Sequence, residues 1–492
     1  MLVRSGLIVA LGLLLGRLLG FGRELGVAAE FGASGMADAA ILTLTFPDLL
    51  MNILFGGVLS AVLVPEFVRL GERGSWVLHR RVTLAALAAA GLLALLLALL
   101  SLPLARLLAP GASPASAAAM AHGIAWSAWL MPLIVCSTVT TVWLQALRRF
   151  GSSAFSTLFY NGLLVVVIWR GLPADDPLRA LALAMVAAGL VRCLWLWAGL
   201  RHEINPALPE AMDWPGLRRR YADALLTSLA LFLFPLVGRA IASHAGDGGL
   251  AIYNYASKLV ELPLGIAITM VSVVVFSKLA AMIQQSGDWQ SLWRDSLRLV
   301  AGLSVMITLP AVCFSRQLAE AAFGWGAMSS ASLERIAALS SVGMLSLGLQ
   351  GVYVLNNLVL SSFHETRRMM RYSLAGLAVF AGSGYAGFRV LGGEGLMLGL
   401  VLAYALMVAL QLRWLSGAGA RLFGDALDAR FVRMTGWMLA ASIPFWLLSP
   451  HAGRWEGLAL AAVQFTGLAL LAVLCQPVLR AVAVSRLRGG KT

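Results

Sequence analysis

From Val82 to Leu102 the chain runs for 21 residues without an ionisable side chain, as VTLAALAAAGLLALLLALLSL. A helix rises about 1.5 Å per residue, so a run of this kind crosses a hydrocarbon core of roughly 30 Å. Inside that core every backbone N–H and C=O must be bonded within the element, which leaves helices or closed barrels. Barrel strands alternate apolar and polar residues, and this run does not. Similar runs recur about fourteen times, at 6–30, 37–69, 82–108, 120–147, 152–172, 178–200, 221–245, 249–283, 294–316, 333–362, 370–391, 394–416, 431–449 and 456–480. Only 12% of the 492 residues are charged, about half of what a soluble domain uses to cover its surface. The expectation is an all-α integral membrane protein with about fourteen transmembrane helices, embedded in a lipid bilayer.

Basic residues orient the bundle. They follow the even-numbered spans: Arg69, Arg73, Arg80 and Arg81 in a loop after the second, then Arg148 and Arg149, then Arg201 with Arg218–Arg220. Lys278 with Arg294, Arg367 with Arg368 and Arg371, and Arg421 with Arg430 and Arg433 continue the series, and the tail adds Arg480, Arg486, Arg488 and Lys491. Loops after odd spans, such as Gly32–Met36 and Ala109–Ala119, are nearly free of Lys and Arg. The positive-inside rule then puts both termini in the cytoplasm. It also accounts for the formal charge of +14. No basic run interleaved with aromatics occurs, so nucleic-acid binding is not indicated. The stretch Met1–Gly16 carries Arg4 before apolar residues but no small-residue cleavage site, and reads as a retained first helix. Cys136, Cys193, Cys313 and Cys475 show neither CxxC nor Cys/His spacing, so no metal site is expected. No cofactor is called for; Na⁺ or H⁺ coupling remains open.

Two stretches repeat. Arg23, Gly32, Ala40 and Pro47 are followed, at a constant offset of 216, by Arg239, Gly248, Ala256 and Pro263, with Asn254 opposite Asp38. Each repeat holds an even number of spans, so the repeats run parallel, as in two-lobed transporters that work by alternating access. The predicted organisation is an N-terminal lobe over 1–200, a cytoplasmic linker over 201–220, a C-terminal lobe over 221–416, and an appended helix pair with tail over 417–492. Pro47 and Pro263 remove a backbone donor inside long spans and are expected to bend or break their helices.

Charges within spans are costly and usually face a bundle interior or an aqueous cavity. The densest group is Arg17, Arg23, Glu24 and Asp38. At about 100° per residue, Arg17 and Glu24 share a face and Arg23 lies about 120° from Arg17. A guanidinium is always charged and offers a fork of donors matched to phosphate oxygens, so Arg17 and Arg23 suit an anionic headgroup. The comparable second-repeat positions are Arg239, Lys258 and Glu261, and Lys258 and Glu261 are three apart on a helix and able to pair. Asn356 and Asn357 read as interhelical contacts, and His122 and His244 as interfacial groups.

These residues carry a resemblance. Gly16-Arg-Leu-Leu-Gly-Phe-Gly-Arg-Glu24, Phe31-Gly-Ala, Ala37-Asp-Ala, Phe46-Pro-Asp-Leu-Leu50, Leu59-Ser-Ala and Val64-Pro65 resemble the opening of the MurJ/MviN lipid II flippases, of the MOP exporter superfamily. Tyr253-Asn-Tyr-Ala-Ser-Lys-Leu-Val-Glu-Leu-Pro-Leu-Gly265 is similar to that family's eighth-helix motif, and Phe323-Gly-Trp-Gly326 to a later short one. The resemblance implies a flippase that carries undecaprenyl-diphosphate-linked saccharide from the cytoplasmic to the periplasmic leaflet of the bacterial inner membrane. It implies two parallel six-helix lobes plus two C-terminal helices. It matches Arg17 and Arg23 to the family's cationic cavity residues, Asp38 to its acidic position on the second helix, and Lys258 with Glu261 to its eighth-helix pair. With Arg239 from the repeat, the candidate headgroup cavity is Arg17, Arg23, Asp38, Arg239 and Lys258, and Glu24 and Glu261 are candidates for gating or charge pairing. It suggests a monomer working beside glycan synthases.

The sequence also departs from the family pattern. Where members continue after Pro-Asn-Leu-Leu with two arginines and then Ala-Glu-Gly, this chain has Met51, Asn52 and, at the acidic position, Gly56. Ser257 stands where an acid is expected, and Lys258 where an arginine is usual. The expected cargo is therefore lipid II or an exopolysaccharide repeat unit on the same carrier. A drug/cation antiporter of the superfamily is the alternative, although it would want an acidic cavity. A membrane glycan polymerase or ligase would need a large loop or catalytic acid motif, and neither is visible.

Overall fold

The computed structural model describes residues 2–200, 233–265, 288–417 and 428–475, with positions 216, 221, 279, 282 and 283. The rest of the expected 201–220 linker, Lys278 and the basic tail after 475 lie outside the described residues. All regular structure among the described residues is helical. Nine helical stretches there are long and apolar enough to cross a membrane, or ten with a pair bent by 44°. The chain divides into two compact units, Met1–Ala251 with Gly326–Met328, and Ile252–Trp325 with Ser329–Thr492.

The first unit opens with α1 (Leu2–Phe31) and α2 (Gly35–Leu99). A straight helix of 65 residues would be about 100 Å long, three times what a bilayer holds. Gly71 resolves this. Its φ of +65° interrupts the right-handed run, and the apolar span Gly74–Leu99 begins just beyond it. The basic segment expected as a loop, from Arg69 to Arg81, is thus largely helical and turns at a glycine. Pro47 lies inside α2 without ending it; it leaves only the Thr43 carbonyl without an amide donor. The unit continues with α3 (Ser101–Leu108), α4 (Pro114–Ser127), α5 (Met131–Ala146), α6 (Phe150–Trp169), α7 (Pro177–Ala198) and α8 (233–242). Ser113 and Asp176 cap α4 and α7, each followed by proline at the first helical position, where a missing N–H costs nothing. Gly32 and Gly248, equivalent in the repeat, both adopt positive φ, +61° and +87°.

The helix α9 (Gly249–Pro263) begins in the first unit, passes into the second after Ala251, and continues from Pro263 as a π turn at 264–265. Then come α10 (Trp289–Cys313), α11 (Ser315–Phe323), α12 (Ser330–Met344), α13 (Leu347–Ser362), α14 (Thr366–Leu391), α15 (Gly393–Gly417), α16 (Ala429–Leu448) and α17 (Arg454–Cys475). The last pair packs on α10 through Met306, Met434, Met438 and Leu468. Asp428 caps α16 at the Phe431 amide and pairs with Arg298 at 3.2 Å. Buried amides tie the helices: Asn356 accepts from the Trp293 indole at 3.0 Å and Asn357 from Gln411 at 2.9 Å.

Lipid tails are as apolar as leucine, so helix association depends on close packing of small residues. The α14–α15 hairpin shows this at its tightest. A Cβ on Gly399 would collide with the Gly384 backbone, and one on Gly387 would stand 2.5 Å from the Gly395 carbonyl oxygen. Gly399→Leu is therefore expected to force the hairpin apart and cost about 1–3 kcal/mol. Thermal denaturation in detergent should show a midpoint lower by several degrees; an unchanged midpoint would mean the helices part freely.

Candidate functional site

The first unit's charge cluster is built on a glycine-lined helix face. Gly12, Gly16 and Gly20 recur every four residues on α1, the spacing that stacks small residues on one side. They lie against Ala154, Thr157 and Asn161 of α6. Asn161 donates to the Gly16 carbonyl at 3.0 Å and the Trp169 indole to the Gly22 carbonyl at 3.2 Å. With α6 this close, Tyr160 comes within electrostatic range of Arg23.

Arg23 is buried, and its Nη2 donates to Glu24 Oε1 at 3.1 Å. Its Nη1 lies 3.7 Å from Asp48 Oδ2 on α2, an ion-pair distance too long for a good hydrogen bond. The Asp48 side chain keeps 36% of its accessibility, against 3% for Glu24. Arg192 on α7 completes the group and interacts electrostatically with Asp48 and Tyr160. The Nε of Arg23, the Nε of Arg192 and the Tyr160 hydroxyl are buried without a hydrogen-bond partner. Arg17 stands exposed on α1, six residues before Arg23.

The other candidates sit elsewhere. Asp38 is buried and accepts from the Gly248 amide at 2.8 Å and the Ala251 amide at 2.6 Å. It thereby satisfies donors at the N-terminus of α9 that the helix leaves unpaired. The turn around it is dense: a Cβ on Gly248 would be 2.5 Å from the Ala33 carbonyl oxygen, and one on Gly111 would collide with His244. Gly111 N donates to Ser243 Oγ at 3.0 Å, and Ser113 Oγ to Asp247 Oδ2 at 2.9 Å. Hydrogen bonds from the Ser116 hydroxyl, then from the Ser113 hydroxyl and amide, hold the Asp247 carboxyl below the ordinary 3.8. Arg239 is buried and donates to Thr45 on α2 at 3.0 Å. In the second unit Lys258 and Glu261 pair at 2.6 Å on a half-exposed face of α9. His122 bonds Asp176 at 3.0 Å beside the start of α7.

The structure thus gathers Arg23 and Glu24 with three residues not singled out from the sequence, Asp48, Tyr160 and Arg192. Two of these carried a signal. Arg192 is a charge in the middle of the run 178–200, and Asp48 lies inside the Phe46–Leu50 motif. Tyr160 carried none, since one tyrosine in an apolar helix is ordinary. Among the described residues no three His, Cys, Asp or Glu side chains come together in a metal-binding group.

A helical bundle with nine or ten membrane-span candidates among its described residues and charges buried between its helices defines a multi-pass membrane protein. The sequence model of the family "Lipid II flippase MurJ" matches residues 27–464, and the chain belongs to that family, whose members are transporters and not enzymes. The lipid II flippase MurJ of Burkholderia cenocepacia is 25% identical over 291 residues, 55% of each chain, so the match spans about half that relative's length. The probable lipid II flippase of Rhizobium tropici is 24% identical over 384 residues, 74% of this chain and 71% of that one. That of Helicobacter pylori strain 26695 is 24% identical over 399 residues, 75% and 84%. A solved lipid II flippase MurJ in an inward closed conformation superposes with a TM-score of 0.79 at 15% identity, covering 98% of this chain and 100% of that one. An inward-facing multidrug resistance MATE transporter of the MOP superfamily gives 0.70 at 14% identity, covering 83% and 96%. The fold is MurJ/MATE-like.

Two measurements test the turn at Asp38. A hydrogen bond to a charged acceptor contributes about 1.5–3 kcal/mol, so Asp38→Ala should speed hydrogen exchange of the Gly248 and Ala251 amides at least tenfold; unchanged protection would show that the carboxylate does not hold them. The depressed Asp247 carboxyl stabilises the fold fully above the ordinary 3.8, and that contribution is lost as pH falls through its lower folded value. The stability advantage of the wild-type chain over Asp247→Asn should therefore be constant from pH 7 to 5 and shrink towards pH 3.

Proposed function

We propose that the chain translocates an undecaprenyl-diphosphate-linked saccharide from the cytoplasmic to the periplasmic leaflet of the bacterial inner membrane by alternating access. The observation that carries this reading is Arg23, a guanidinium buried in an apolar bundle beside the exposed Arg17. Family membership supplies the reaction class, and the arginines supply the chemistry for its diphosphate. A guanidinium cannot lose its proton, so a lipid-borne anion has a fixed charge to meet. The Asp38 contact with the start of α9 fits a clasp that closes the outer end of the first unit. Lys258 with Glu261 and Arg239 with Thr45 are read as contacts exchanged during the cycle, with Pro263 as a bend point. The basic loops favour cytoplasmic termini. The chain is read as a monomer, supplied by glycan synthases, without a cofactor.

Lipid II is the first candidate for the cargo. The neutral Met51, Asn52 and Gly56, where the family pattern is charged, favour a second one, an exopolysaccharide repeat unit on the same carrier. An antiporter of cationic drugs fits less well, because Arg17, Arg23 and Arg192 outnumber Glu24 and Asp48 around this site.

Expression in a bacterium depleted of its own lipid II flippase is expected to restore growth if the cargo is the peptidoglycan precursor; failure by fully inserted protein would move the assignment to the exopolysaccharide. In whichever background the chain is active, Arg17→Ala should lower export roughly 10- to 100-fold at unchanged membrane level, the effect of losing one charge-assisted phosphate contact. Normal export by both Arg17→Ala and Arg23→Ala would overturn the flippase reading.

A further inference from the structure

The five-residue cluster in the first unit has more donors than its own acceptors occupy. Two guanidiniums and a phenol meet two carboxylates, yet one donor on each of Arg23, Arg192 and Tyr160 is buried without a partner. Leaving such donors dry is costly, so an arrangement with three of them is complete only when something further accepts. The two carboxylates are not equivalent. Glu24 is buried and bonded to Arg23 at 3.1 Å, whereas Asp48 stands off at 3.7 Å and is partly accessible. Glu24 is the close, buried counter-charge, and Asp48 is the longer and more accessible of the two contacts.

We propose that Arg23, Arg192 and Tyr160 form the seat of the lipid-linked diphosphate, and that Asp48 is a resident counter-ion which the diphosphate displaces. The inference rests on the flippase reading and adds to it two contact residues and a competitor inside the chain. A diphosphate offers enough acceptor oxygens to answer all three dry donors, and its charge pairs with guanidiniums in the bidentate manner that a single carboxylate only partly reproduces. It cannot share the seat with ionised Asp48, because like charges at a few ångströms in a low dielectric repel strongly. Asp48 therefore keeps the seat neutral when no cargo is present and lowers the affinity when cargo arrives. The groups facing Asp48 are Arg23 and Glu24 from α1, Tyr160 from α6 and Arg192 from α7.

The test is equilibrium binding of undecaprenyl diphosphate, without sugar, to the purified full chain in lipid nanodiscs, with undecaprenyl monophosphate as the comparison. The wild-type chain should prefer the diphosphate. Arg192→Ala should bind it roughly 10- to 100-fold more weakly, Arg192→Lys should recover only part of the loss, and Tyr160→Phe should bind about 3- to 10-fold more weakly. Asp48→Asn should bind more tightly than wild type, a gain that a merely structural aspartate would not give. If Arg192→Ala does not fold, Asp48→Asn and Tyr160→Phe decide alone. Wild-type binding of the diphosphate with Asp48→Asn and the Arg192 variants unchanged would overturn this seat and leave the flippase reading standing. No binding of either lipid by the wild-type chain would overturn both.

Discussion

Arg23 carries its charge at every accessible pH, and in a bundle whose outer surface faces hydrocarbon that charge must be answered by neighbouring helices. The rest of the first unit is arranged around this demand. The glycine face of α1 brings α6 close enough for Tyr160 to enter the group, Glu24 supplies the adjacent carboxylate, and Asp48 and Arg192 are delivered by α2 and α7. A buried pair of this kind adds little net stability, because desolvation offsets much of the attraction, but removing one partner costs about 3–5 kcal/mol. Such a cluster makes sense where its charge is needed for something other than holding the helices together.

The helical membrane character was legible at once, since apolar runs of twenty residues have one solution in lipid. The register of the proposed repeat sets Gly32 opposite Gly248, and both adopt positive φ between helices. The length of α2 was not legible, because the Arg69–Arg81 segment has the composition of a cytoplasmic loop and helical backbone nonetheless. Charge content predicts depth relative to the membrane better than it predicts backbone conformation. Pro47 shows the same limit. A proline in a long helix removes one donor, and that alone does not end the helix.

The candidate site was half legible. Rarity of charge inside spans picked out Arg23 and Glu24, but treating charges one helix at a time could not say which ones meet. Arg192 is 169 positions from Arg23 in sequence, and only the packing of four helices puts them together. Asp38 illustrates the opposite case. The family resemblance implied a headgroup contact for it, and in the structure its oxygens accept from the Gly248 and Ala251 amides.

The place of the Asp38 contact along the bundle has a further consequence. Its two amide partners, Gly248 and Ala251, lie next to a turn of glycine, serine and aspartate in which Asp247 is exposed. Were the same contact at mid-membrane, parting it would strand three polar groups in oil. Beside an exposed polar turn, water can take over each hydrogen bond as it breaks. The contact is therefore strong while dry and cheap to undo once wetted.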